Sequence, residues 1–91
     1  MLHEDRAKLT TSTQDKKRAI DSLKEELEAV DWYNQRADAC SDKELKAILL
    51  HNAAEEKEHA SMLLEWLRRH DNELNHELKD YLFSEKKLGK H

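Results

Sequence analysis

The sequence has 91 residues, 40% of them charged and 37% apolar, with one Gly, no Pro and a net charge of −4. That length predicts one domain, and that composition favours long helices over sheets and turns. Acidic and basic residues are interspersed without a basic stripe, and no apolar run reaches membrane-spanning length, so neither nucleic acid nor membrane is an expected partner.

Residues 1–12 have no useful periodicity and read as a flexible arm, without a signal-peptide pattern. Ser12-Thr13-Gln14-Asp15 is a helix start signal. The first helix is expected over 13–40, with Ile20, Leu23, Leu27 and Val30 on one stripe. Cys40 closes it as a small buried apolar residue; as the sole cysteine it points to a reducing, intracellular setting. Ser41-Asp42-Lys43-Glu44 starts a second helix, 42–70, whose apolar face holds Leu45, Ile48, Leu49, Leu63, Trp66 and Leu67. Asp71-Asn72 breaks it. Residues 73–83 read as a short third helix gathering Leu74, Leu78, Tyr81 and Leu82, and 84–91 as a tail. A join as short as that at Ser41 makes the two long helices antiparallel neighbours. The expected fold is all-α, an antiparallel two-helix hairpin plus a short C-terminal helix. A second copy would close its open apolar surface into a four-helix bundle.

The anomaly lies in the second helix. At about 100° per residue, Leu45, Leu49, Asn52, Glu56, His59, Leu63, Leu67 and His70 share one sector. Glu56 and His59 therefore fall in the middle of the apolar stripe, where a carboxylate needs a partner or a metal. On the first helix Glu26 lies beside Leu23, Val30 and Tyr33, whereas Glu25 and Glu28 turn away. Glu26 is 15 positions before Ser41 and Glu56 is 15 after it. In a hairpin they arrive at one height. Glu56-Lys57-Glu58-His59 is a Glu-x-x-His element, whose i, i+3 spacing puts both side chains on one face. Di-iron carboxylate bundles use a Glu from each of two helices and a Glu-x-x-His from each of two others. This chain holds one of each, half a site, and a two-fold axis supplies the other half.

On the metal-site reading, the completed site is expected to take two Fe(II) ions, with Glu26, Glu56 and His59 of both chains as ligands, the two Glu56 carboxylates bridging and an ion separation near about 3.5–4 Å. Dioxygen accepts the electrons. The alternative is a non-enzymatic helical oligomerisation or adaptor module in which Glu56 and His59 form a buried charge-assisted pair. Glu25, Glu28 and Trp32 are either a solvated acidic face with one aromatic or an oligomer contact around a cation path. Tyr33 is either a hydrogen-bond donor beside the centre or core. Trp66 reads as core, Asn52 as a satisfied core amide, and His70 as a helix-end residue near the negative end of the dipole. His51, His76 and the terminal histidines read as solvent-facing and functionally quiet.

The run Glu25-Glu26-Leu27-Glu28-Ala29-Val30-Asp31-Trp32-Tyr33-Asn34-Gln35-Arg36 resembles the encapsulated ferritin family. So do His51-Asn52, Glu55-Glu56-Lys57-Glu58-His59, Met62 to Arg69 and Tyr81-Leu82-Phe83, over about residues 15 to 86. The resemblance implies ferritin-like hairpins that pair to form a ferroxidase centre at the homodimer interface, and dimers that assemble into an open ring, a decamer. It implies work inside an encapsulin shell protein, a cytoplasmic nanocompartment that receives the oxidised iron for storage. By motif, Glu26, Glu56 and His59 form the di-iron centre with Tyr33 next to it. Glu25 and Glu28 resemble an outer metal site on the uptake path, with calcium as another occupant, and Trp32 the residue that narrows that path. Family members carry a C-terminal address for the shell; none is identifiable in Leu88-Gly89-Lys90-His91.

Overall fold

Three short polar side chains decide where the helices begin. The computed structural model describes residues 1–89, and Lys90 and His91, the end of the expected tail, lie outside them. A 3-10 turn at Arg6–Lys8 precedes α1 (Thr11–Ala39), α2 (Lys43–His70) and α3 (Asn72–Tyr81). Thr10, Asp42 and Asp71 accept hydrogen bonds from the backbone N–H of Thr13, Leu45 and Leu74 at 3.1, 2.8 and 3.0 Å. Each such cap satisfies a donor that the first helical turn leaves unpaired, for about 1 kcal/mol. The first helix thus starts at Thr11, two residues before the position expected from Ser12-Thr13, because Thr10 takes the capping role.

The segment expected to be an unstructured arm has local order. Asp5 caps the 3-10 turn, and the Gln14 side chain donates to the Leu9 carbonyl at 3.1 Å, tying the segment to α1. At the other end, Leu82 caps α3, which stops at Tyr81 rather than Phe83. Phe83 has a φ of 56°, left-handed backbone that costs an L residue about 1–2 kcal/mol and prevents continuation of the helix.

The two long helices pack along their length, and among the described helices α3 packs against α2 and not α1. The fully buried seam is not the expected large aliphatic stripe. It consists of Ala19, Ala37, Ala53, Ala60 and Leu67. Ala53, Ala60 and Leu67 recur every seven residues, the period that keeps one seam facing a neighbour. Alanine lets two backbones approach closely; it also leaves the larger side chains flanking the seam rather than filling it. Ile20, Leu27, Leu45 and Ile48, expected in the core, are about half exposed. Cys40 is likewise half-buried rather than buried, since it caps α1 in the open connection.

The product is elongated. Its radius of gyration is 17.0 Å, against about 12 Å for a compact domain of this length. It exposes 7591 Å², against about 5,500 Å² for a folded monomer of this mass. A lone hairpin is short of covering surface, and its half-exposed aliphatic residues are where the shortage lies. Among the described residues, no helix is long and apolar enough to cross a membrane.

Candidate metal centre

Glu26 lies seven residues after Ala19 and seven before Tyr33, so the α1 seam passes through it. Glu56 and His59 stand between Ala53 and Leu63 on α2, and the equal distances from the turn bring them to the same level. His59 Nδ1 lies 3.4 Å from Glu26 Oε2 and 3.5 Å from Glu56 Oε2. One ligand atom from each of the three residues lies within 4.8 Å of the others. Among the described residues this is the group of three or more His, Cys, Asp or Glu side chains close enough to hold one ion.

Burial here is partial, not complete as the sequence pattern implies. The Glu26 and Glu56 side chains are 24% exposed and that of His59 44%. A hairpin covers only one side of its seam, and the other side of this layer stays open. Within it one atom is out of balance. Glu26 Oε2 is buried and accepts no hydrogen bond, although His59 stands within ion-pair distance. A buried acceptor left unpaired costs on the order of 1–3 kcal/mol. Two carboxylates and one imidazole give hard oxygen and borderline nitrogen donors without thiolate, a set suited to ferrous iron. Three donors from one chain leave further positions around such an ion.

The EncFtn-like family profile matches residues 1–85. The chain belongs to the EncFtn-like family. It is 58% identical over 83 residues to an encapsulated ferritin-like protein of Rhodospirillum rubrum, and 49% identical over 86 residues to a ferritin-like protein of Thermotoga maritima. Those matches cover 91% and 94% of this chain, but 59% and 75% of the two relatives. The Rhodospirillum protein is therefore much longer than the part this chain spans. The crystal structure of protein ne0167 from Nitrosomonas europaea superposes with a TM-score of 0.92, at 61% identity and 97% coverage of both chains.

In this EncFtn-like chain the remaining residues singled out from the sequence are spread over two surfaces. Glu25 and Glu28 are exposed, and Trp32 is 49% exposed. Tyr33 is half-buried. The Arg36 guanidinium lies over both rings, 5.4 Å from the Tyr33 centroid and 5.9 Å from that of Trp32. Sequence reading passed over Arg36, although an Arg three and four residues after two aromatics is the helical spacing for a cation on their faces. His51, read as quiet, pairs with Glu55 at 2.9 Å on the exposed side of α2. Trp66 is half-buried, not core, and stacks on His70 at 3.9 Å between ring centroids, 16° from parallel. His70 is exposed instead of inward-facing, and its Nδ1 meets the Trp66 carbonyl at 2.8 Å.

Proposed function

We propose that two copies of this hairpin pair through the open side of the Glu26, Glu56 and His59 layer, forming a ferritin-like four-helix bundle around a di-iron ferroxidase centre. The carrying observation is the buried Glu26 Oε2 that accepts no hydrogen bond among three converging ligand side chains. Iron is the substrate. Two Fe(II) ions each give up one electron, and dioxygen takes up the pair with two protons to become hydrogen peroxide. Glu26 and Glu56 hold the ions through charge, favour the higher oxidation state and bind Fe(III) more strongly than Fe(II). His59 supplies the nitrogen donor through Nδ1, the ring atom that faces both carboxylates.

The other residues take supporting parts. Glu25 and Glu28 form an outer acidic site, open to iron or calcium, on the path that ions follow inward. Trp32 narrows that path. Tyr33 stands on the same side of α1 as Glu26, and helical side chains lean toward the N-terminus, which brings its ring back toward the centre. The oxidised iron passes to storage inside an encapsulin shell, as the name of the Rhodospirillum relative supports.

A non-enzymatic adaptor with a structural Glu–His cluster is the competing reading, and the two ion-pair distances of 3.4 and 3.5 Å favour it to that extent. Its weakness is Glu26. An adaptor has no use for a second carboxylate without a hydrogen bond, since an apolar side chain of similar volume is usually as stable or better. The deciding experiment is aerobic addition of Fe(II), followed by near-ultraviolet absorbance, beside native mass spectrometry with and without Fe(II). The expected results are rapid oxidation and two irons per dimer. Oxidation no faster than in buffer, together with no retained iron, would leave the adaptor.

A further inference from the structure

Arg36 reaches no carboxylate among the described residues, whereas Arg18 pairs with Asp15, and Arg68 and Arg69 pair with Glu65. Its guanidinium lies instead over Trp32 and Tyr33 at once. Arg36 stands in the last turn of α1, where a positive charge meets the negative end of the dipole. That placement alone does not direct it onto two rings. The three- and four-residue spacings do, because helical side chains lean back toward the N-terminus.

The helix period gives this contact a particular place. At about 100° per residue, Glu25, Glu28 and Trp32 share a sector about 60° wide, and Glu26 and Tyr33 lie about 80–100° round from Glu25. Arg36 falls between Trp32 and Tyr33. One cation thus spans the border between the outer acidic stripe and the stripe that carries the metal centre. We infer that Arg36 is a positioning residue that holds the Trp32 indole at the constriction between the outer acids and the centre, and so sets how readily Fe(II) reaches Glu26, Glu56 and His59. The inference rests on the proposed function, in which Trp32 narrows the uptake path.

Magnitudes make the contact a bias and not a lock. A cation over an exposed aromatic face favours that arrangement about two- to fivefold, and Trp32 is 49% exposed. An open hollow of about 230 Å³ lies beside the stack, bounded by Trp32, Gln35 and Arg36. Glu28 is one turn before Trp32 and Arg36 one turn after it. Without the guanidinium, the indole can fold into the vacated space, away from Glu28, and the path widens. The centre itself is untouched, since the ion-pair partner of Glu26 and Glu56 there is His59 and not Arg36. Entry should change, and the rate at saturating Fe(II) should not.

Two readouts on the full chain test it. In a Trp66→Phe background, which leaves Trp32 as the one tryptophan, Arg36→Met should raise acrylamide quenching of the fluorescence by about twofold, as a half-exposed ring becomes fully exposed. In stopped-flow oxidation of Fe(II), Arg36→Met should raise kcat/KM about two- to fivefold and leave kcat as in the parent. Arg36→Lys keeps the charge but lacks the planar face that stacks on rings, so both readouts should fall between parent and Arg36→Met, moving together. Parental quenching in Arg36→Met overturns the inference, and so does raised quenching with an unchanged kcat/KM. Recovery of kcat/KM in Arg36→Lys without recovery of the quenching assigns the effect to charge alone and overturns it as well. If the parent itself oxidises no Fe(II) while Arg36→Met still releases the indole, the ferroxidase reading fails and the hold of Arg36 on Trp32 stands.

Discussion

Glu26 occupies a place where a helix seam calls for an apolar side chain, one heptad from Ala19. Its cost to the metal-free chain should be measurable. Glu26→Leu removes the buried oxygen that lacks a hydrogen bond and fills the same space with methyl groups. Metal-free Glu26→Leu is expected to be about 1–2 kcal/mol more stable, a rise of roughly 4–16 °C in a thermal melt followed by circular dichroism. The same variant should lose Fe(II) oxidation, because one of three ligands per chain is gone. A stabilised but inactive protein is the signature of a residue kept for chemistry. If Glu26→Leu melts lower than the parent, the carboxylate is structural. Arg36 is tested at the same scale. Arg36→Met removes the cation from the Tyr33 and Trp32 faces while keeping much of the stem, and the expected loss in stability is about 0.5–1 kcal/mol.

At the level of elements, the hairpin depends on small residues in its seam. Ala60 is buried one position from His59. Ala60→Leu inserts three carbons where the helices meet, at an expected cost of about 1–3 kcal/mol, and the splayed helices should weaken Fe(II) binding more than they reduce helix content. Isothermal titration and far-ultraviolet circular dichroism separate the two effects. Helix α3 depends on a clamp. Arg68 donates twice to Glu65, at 2.6 and 2.8 Å, and once to Asn75 on α3 at 2.5 Å, while Arg69 also reaches Glu65. The two guanidiniums hold the Glu65 carboxyl down at about 2, from an ordinary 4.5. A depressed folded-state value stabilises fully above the ordinary one and is lost as pH falls through the depressed one. Protonation of Glu65 should thus release Arg68, the residue that also reaches Asn75, between pH 4.5 and 2, seen as lower amide protection factors over Asn72–Tyr81 once the slower intrinsic exchange at low pH is allowed for. The helix count, the hairpin and the level of Glu26 with Glu56 were legible in the sequence, because chain symmetry about Ser41 and the 3.6-residue period determine them. The seam was not. Alanines carry little weight in an apolar pattern, and Ile20, Leu27 and Ile48 draw the eye to a stripe wider than one neighbour can cover. Nor was the isolation of α3, which depends on the angle at Asp71, a single residue that caps both helices.

Across the whole molecule, charge is concentrated around the proposed centre. Residues 25–60 carry ten acidic side chains against four basic ones, although the full chain has a net charge of only −4. Pairing two hairpins at this layer brings together four ligand carboxylates, two from each chain, within a surface rich in further acids. Without metal they repel; two divalent cations reverse the sign of that interaction. Salt then separates the two states. At physiological ionic strength the Debye length is about 8 Å, so added salt screens the outer acids more than the half-buried ligands. Metal-free dimers should strengthen as sodium chloride rises from about 20 to about 500 mM, which shortens the screening length from about 22 Å to about 4 Å, because repulsion is relieved. The rate at which Fe(II) enters should fall over the same range, because the attraction that gathers cations at the acidic mid-section is screened as well. Sedimentation equilibrium measures the first trend and stopped-flow absorbance the second. Metal-bound dimers should show little salt dependence, since their ligand charges are compensated at short range. Dimers that weaken with salt in the absence of metal would mean that ion pairs, not flanking aliphatic side chains, hold the two hairpins together, and the unsatisfied Glu26 oxygen would then have a partner in the facing chain rather than a cation.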